Sequence, residues 1–388
     1  MRRTDLTLPG YEAVIEADTI SPIVPPIKWS TGMLCEAGQV LCALSHELLT
    51  RHLLLWDLKH FSNMAFCSKR GPVFLDLGAI HSVEELEHKF FNISRGSLLD
   101  QVANSFYVPL WLTLGSPARF PAVKRFVAYR RSGPEAFDLP AAMLRRVSFE
   151  WTAVPGLGKG ARLLKAGRYQ EFFRVIAERL RTWSEALSAQ TVIPPEWNGQ
   201  TGSARAEHAR VVGLMERAAG GLSNKTCFGL GSDKIYGLTI AEETNSATYL
   251  FTPEESEADA LFAWRQKRKK PVLPMVCDIW DRSLKTAFAL RASTDVVFIL
   301  PDLLQAAGAA QVPLDFVGQV LSLLTKDVAV VGIGRSTKSM FPTFLSPPSG
   351  SGSPVEFATK TIGKYFSKQE LIEPSGYHED PVIVVFRK

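Results

Sequence analysis

The chain has 388 residues, 46% of them hydrophobic and 21% charged, and carries a net charge of +5 at pH 7. That balance makes an ordinary globular protein of two or three domains with a sizeable core. The positive charge is spread along the chain apart from "RQKRKK", Arg265 to Lys270, and no aromatic-rich basic motif accompanies it, so a nucleic-acid interface is not expected.

The five cysteines, Cys35, Cys42, Cys67, Cys227 and Cys277, never form a C-x-x-C pair and have no histidine at metal-ligand spacing. Neither a metal site nor a disulfide framework is indicated, and a reducing cytoplasm suits the chain. The first residues, "MRRTDLTLPGYEAVIEAD", lack an apolar core, and no run of 18 apolar residues occurs, so neither secretion nor membrane spanning is expected.

In chain order, "SPIVPPIKW" opens the first third; each proline removes a backbone donor and restricts the residue before it, which predicts an extended entry. From Thr31 to His52, Met33, Ala37, Val40, Leu41, Leu44 and Leu48 recur at helical spacing and predict an amphipathic helix. The apolar runs "NMAF" and "PVFLDL", joined by "CSKRG", predict a β-hairpin. Helices are expected over 82–90, 95–114 and 140–147, and again through "YQEFFRVIAERLRTWSEAL". The preceding "GLGKG" lacks the glycine spacing and the Ser or Thr of a phosphate loop and reads as an ordinary loop.

"TVIPPEWNGQTGSAR", Thr191 to Arg205, is rich in Pro, Gly and Ser without periodicity and reads as a linker. Beyond it "KTCFGLG", "ATYLF", "PVLPMVCD", "DVVFIL", "KDVAVVGIG" and "DPVIVVFR" are short apolar runs separated mostly by helical segments. This alternation predicts a doubly wound α/β sheet whose strands are buried on both faces. The basic run 265–270 falls at the end of a predicted helix, where it reads as a solvated face suited to the helix dipole. The expected organisation is a mostly helical domain with a small hairpin over 1–190, a linker over 191–205 and the doubly wound domain over 206–388.

One segment invites a different reading. "WDLKHFSNMAF" and "PVFLDLG" place Asp57, Lys59, Asn63 and Asp76 much as a protein kinase places its catalytic Asp, its metal-binding Asn and the Asp that precedes a glycine. Asn63 follows Asp57 by six residues rather than five, and only 56 residues precede Asp57, too few for a nucleotide-binding lobe. The spacing argues against phosphotransfer, and the same polar residues serve equally as caps of turns and helices.

The segments "IKWSTGMLCEAGQVLCALSHELL", "SNMAF" and "GPVFLDLGAI", with the doubly wound half, resemble a bacterial family of class I S-adenosylmethionine (SAM)-dependent methyltransferases related to nodulation proteins. Trp29, Met33, Leu34, Ala37, Asn63, Phe66, Pro72, Val73, Phe74 and Asp76 carry the N-terminal match; "PMVCD", Val312 to Leu314 and the closing "KYFSKQEL…PVIVVFRK" extend it. The resemblance implies a Rossmann-like methyltransferase domain and a SAM site formed by Gly229, Gly231, Asp233 and Asp278, with Asp278 near the adenine amino group. It implies a substrate pocket supplied in part by the N-terminal region, with Asp57, Lys59, His60, Asn63, Asp76 and Asp302 as polar candidates.

Departures from the family pattern, Asp-x-Gly-x-x-x-Gly after the first strand, are several. Gly229 stands for the acid and Ile235 for the second glycine; Phe251 or Thr252 stands where an acid would hold the ribose, with Glu254 and Glu255 placed too far along; Gly332 replaces the acid of the fifth strand. Three functions follow from a partly eroded site: methyl transfer to a small molecule, a non-catalytic partner or scaffold pairing with another protein or a second copy, and a repurposed pocket with different chemistry.

Overall fold

The structure is a computed structural model and describes residues 2–4, 14–16, 24, 28–55, 64–74, 80–89, 162–163, 166–197, 203–231, 233–334, 353–372 and 381–388. Strands β1 (Arg2–Thr4) and β2 (Val14–Glu16) pair antiparallel. Helix α1 (Thr31–Thr50) begins at Ser30, whose hydroxyl accepts from the Met33 N–H at 3.3 Å, the usual device for an orphan donor in a first turn. It buries Met33, Leu34, Ala37, Leu41 and Leu48, as their spacing predicts; Val40, from the same run, is 39% exposed.

Strand β3 (Leu53–Leu55) pairs with β6 (Ile80–Ser82), and β4 (Met64–Cys67) with β5 (Gly71–Phe74). The second pair is the expected hairpin, turned by residues 68–70 with Gly71 at φ 74°, a conformation glycine adopts without a Cβ penalty. Helices α2 (Val83–Lys89) and α3 (Tyr169–Gln190) complete the N-terminal part. The helices expected over 95–114 and 140–147 lie outside the described residues, as does the "GLGKG" loop. Within the segment read as a linker, Pro195–Trp197 forms a 3-10 turn and helix α4 (Ser203–Ala218) begins.

The second half alternates β7 (Thr226–Gly229), α5 (Ile235–Thr244), β8 (Ala247–Thr252), α6 (Glu255–Arg268), β9 (Val272–Val276), α7 (Lys285–Ala289), β10 (Thr294–Ile299), α8 (Leu303–Ala309), α9 (Leu314–Leu324), β11 (Thr325–Ile333), α10 (Pro354–Gly363), β12 (Lys368–Ile372) and β13 (Val382–Arg387). The sheet order is β12-β13-β11-β10-β7-β8-β9. β9, β8, β7, β10 and β11 run parallel, while β13 is inserted antiparallel to both β11 and β12. This is a Rossmann-like doubly wound sheet, and its order reverses between β7 and β10.

Every residue of β8 and β9 is buried, as expected for parallel strands covered on both faces. Side chains alternate along each strand. Phe228, Tyr249, Phe251, Met275 and Val297 share a core with Trp29, Met33, Phe66 and Phe172 from the N-terminal part; Cys227, Leu250, Val272 and Phe298 face Met215 of α4, Ile240 of α5 and Trp264 of α6. Edge strand β12, "KQELI", is largely exposed and has no apolar run, which is why the sequence pattern did not place it.

Helix α1 docks on α6. An added Cβ at Gly32 would lie 2.3 Å from the Phe262 ring, so only glycine lets the two elements approach this closely. The Asp259 carboxylate accepts from Gly32 N at 3.2 Å and also from Thr31 N and the Ser30 hydroxyl, placing a negative charge at the start of α1. Burial nevertheless raises the Asp259 carboxyl above its ordinary value, the bonds from Gly32, Ser30 and Thr31 opposing. Thr31 Oγ1 donates to Glu255 Oε1 at 3.1 Å, and Glu36 Oε2 accepts from Arg265 Nη1 at 3.0 Å and from Gln266 Nε2 at 2.8 Å. Arg265, expected on a solvated face, is instead 12% exposed, with its guanidinium over the Phe66 and Phe262 rings. The rest of the basic run fits the expectation where Lys267, Arg268 and Lys269 are exposed.

Among the described residues no single helix is long and apolar enough to cross a membrane.

Candidate functional site

Parallel strands deliver their carboxyl ends to one edge of the sheet, and a crevice opens there beside the point where strand order reverses. In this chain the crevice is a cleft of about 460 Å³ at the ends of β7, β8 and β9, closed on one side by α8. Leu230, Gly231 and Lys234 line it after β7; Phe251, Thr252, Pro253, Glu254 and Glu257 after β8. Cys277, Asp278, Ile279 and Trp280 line it after β9, and Ala306, Ala309 and Ala310 face them. The volume lies within the range of small-molecule sites.

Of the four residues expected to hold a cofactor, Gly231 and Asp278 lie on this cleft. Gly231 is required by its neighbours: a Cβ there would stand 2.7 Å from the Leu300 carbonyl oxygen. Asp278 is exposed, and its Oδ1 accepts from Trp280 N at 2.8 Å, turning the chain so that Ile279 lies buried beneath the cleft. Gly229 does not line the cleft; its missing Cβ makes room within the sheet for Leu250 and Phe298, each 2.7 Å from where a Cβ would stand. Asp233 faces a neighbouring groove with Pro194, Trp197 and Ala260, and its Oδ1 accepts from Ile235 N at 2.9 Å as the chain enters α5.

Asp302, a candidate pocket residue, caps α8 by accepting from Leu304 N at 2.9 Å rather than lining the cleft. Asp57, Lys59, His60, Asn63 and Asp76 lie outside the described residues. Sequence reading also placed Glu254 too far along to matter, whereas Glu254 and Glu257 both line the cleft. The reason is the turn after β8: Thr252 Oγ1 accepts from Glu254 N at 3.0 Å and folds the chain straight into α6. The second glycine missing at Ile235 has a counterpart two residues on. Gly237 lets α5 settle on β8, since a Cβ would meet Leu250 Cδ2 at 2.3 Å.

Lys234 is the site residue that the motif comparison missed. Its side chain is 6% exposed, and Nζ donates to Gly231 O at 2.9 Å and to Phe251 O at 2.8 Å, with Glu257 Oε2 at 3.7 Å. An ammonium thus joins the ends of β7 and β8 and helix α6. Burial pushes the Lys234 ammonium below its usual range, and the Glu257 and Asp233 carboxylates oppose that shift. Lys234 and Glu257 line both the cleft and the neighbouring groove, so the pair is the wall between them. No spacing rule flags a lone lysine after a glycine loop, so only the strand ends around it reveal its place.

The N-terminal part reaches the same cleft. Burial raises the Cys277 thiol at the end of β9 to about 11, and the charge of Lys28, just before Trp29, lies near enough to oppose that shift. All five cysteines are unpaired, and among the described residues no group of three or more His, Cys, Asp or Glu is placed to hold a metal ion.

No family model and no curated protein matches the chain. Among solved structures it is similar to that of WbdD, a bifunctional kinase-methyltransferase, with a TM-score of 0.36, 12% identity, 52% of this chain and 45% of that chain covered. It is similar to EvdMO1 at a TM-score of 0.35 and 16% identity, covering 53% of this chain and 47% of that one. With M. jannaschii TYW2, solved with AdoMet, the TM-score is 0.30 and the identity 13%, over 49% of this chain and 78% of the other. The chain spans about half the length of WbdD and EvdMO1. Likenesses of this degree assign no activity.

Proposed function

We propose that the protein is a class I methyltransferase-like protein that holds SAM in the cleft at the ends of β7, β8 and β9 and acts on a small molecule. The observation that carries this reading is the convergence of Gly231, Asp278, Ile279 and Glu254 on one cleft beside the point where the sheet order reverses. A strand order in which the last strand enters antiparallel beside the fifth supports it, because the class I methyltransferase sheet is wound in that way.

The donor set fits the cofactor. SAM offers ribose hydroxyls and an adenine amino group, and the cleft offers the carboxylates of Glu254 and Asp278 beside the apolar Ile279, Pro253 and Ala306. Asp278 and Glu254 would accept from the nucleoside, and Ile279 would pack against its base. When bound, SAM supplies an activated methyl group. The chain's own part is to orient the reactants and exclude water, with the N-terminal region, tied in by Lys28, as the cover that also supplies the substrate pocket.

Calorimetric titration of SAM into wild type and Asp278→Ala tests this. Losing a charged acceptor should weaken binding about tenfold or more; identical titrations would overturn the assignment. A second reading is favoured by Lys234, whose ammonium already occupies acceptors on the cleft wall: a methyltransferase-fold partner that binds no SAM. It predicts no heat at millimolar SAM together with co-purification of an active relative.

A further inference from the structure

We infer that Lys234 is a resident cation that sets the ligand class of the cleft, favouring a nucleoside thioether without an ammonium over one that carries it. The inference rests on the nucleoside-cleft reading above and extends it to selectivity.

Two backbone carbonyls, Gly231 O and Phe251 O, converge with the Glu257 carboxylate on a single point of the cleft wall. Two carbonyl acceptors within hydrogen-bond reach and a carboxylate at 3.7 Å make a cation nest that an –NH3+ group satisfies. Lys234 fills the nest from within the chain. Its stem runs from the residue just before α5, and its charge is held where a ligand's own ammonium would otherwise gain the same partners. A second ammonium brought into a cleft of about 460 Å³ meets a like charge at short range and finds those acceptors taken. Glu254 and Asp278, further along the wall, remain for hydroxyl and amino donors of a nucleoside. Truncating Lys234 to alanine removes both charge and stem and leaves the nest open, whereas methionine removes the charge and keeps the stem.

The test compares three ligands by titration calorimetry on the full chain: 5′-methylthioadenosine, S-adenosylhomocysteine and the decarboxylated form of S-adenosylhomocysteine, which keeps the ammonium alone. Wild type should bind 5′-methylthioadenosine at least as tightly as either ammonium-bearing ligand. Lys234→Ala should shift the preference tenfold or more toward both ammonium-bearing ligands, and Lys234→Met, which removes the like charge but keeps the stem in the nest, should shift it less. A tenfold wild-type preference for the ammonium-bearing ligands overturns the inference, and so does an unchanged ranking in Lys234→Ala; if that variant fails to fold, the wild-type ranking decides. No binding of any nucleoside to wild type or variant overturns the nucleoside reading itself and the selectivity with it. The cation nest is then judged separately: methylammonium should raise the melting temperature of Lys234→Ala and leave wild type unmoved, and no rise in the variant overturns the nest as well.

Discussion

The sheet and the joint between α1 and α6 are built from opposite materials. In the sheet, ladders pair the backbone and apolar side chains alternate between two cores, so stability comes from burial that has no preferred direction. In the joint, a half-buried carboxylate at Asp259, an ion pair between Glu36 and Arg265 and a glycine set against a ring hold one geometry. The sheet places the strand ends that form the cleft, and the joint holds the region that carries Lys28 near Cys277. Directional contacts are concentrated where position matters most.

That contrast breaks if the N-terminal part is a separately folding unit. Trp29 is fully buried, donates from Nε1 to Val24 O at 2.7 Å and meets Phe66 edge-on at 5.3 Å, in the same core that contains Phe228 and Tyr249 of the sheet. Trp29→Ala should cost about 3–5 kcal/mol and move the whole denaturant transition. Two transitions, with the later one unchanged from wild type, would show that the sheet does not depend on the region docked to it.

The glycine at the joint comes next in size. Gly32→Ala would force a Cβ to within 2.3 Å of Phe262 unless the ring or the helix moves, a cost of about 1–3 kcal/mol in unfolding free energy. Gly237→Ala makes the same intrusion against Leu250 on the far side of the sheet. If the joint positions Lys28, only Gly32→Ala should speed the labelling of Cys277, already half-buried on the cleft, by a thiol reagent in the folded protein. Equal labelling in the two variants would mean that the joint and the cleft are not coupled.

How far such features could be read from sequence follows from the same contrast. Short continuous apolar runs located all but one strand of the large sheet, and the exception, Lys368 to Ile372, is an exposed edge with no apolar run to find. Cleft residues were legible where a strand end dictates them, as at Gly231 and Asp278. They were illegible where a turn re-aims the chain: Thr252 brings Glu254 to the wall by capping its N–H, and Asp302 spends its carboxylate on α8 instead of the cleft. Lys234 and Asp259 owe their roles to partners distant in the chain, Phe251 for one and Gly32 for the other, and local spacing carries no sign of either.

The smallest effect concerns Asp259 and is read as a slope with pH. Its carboxyl is raised by burial, so ionisation opposes folding: its contribution to stability is fully present below the unfolded carboxylate value of about 3.9 and is lost as pH rises through the folded value. An amide at this position would keep an oxygen to accept from Gly32 N without the buried charge, so Asp259→Asn should gain on wild type as pH climbs from the acid side toward neutrality and then hold level. Denaturant midpoints measured from pH 3 to 8 decide the matter. A variant that loses ground with rising pH would mean that the bonds from Ser30, Thr31 and Gly32 to the carboxylate outweigh its desolvation, making the joint an electrostatic clamp on α1 rather than a positioning contact held at a cost.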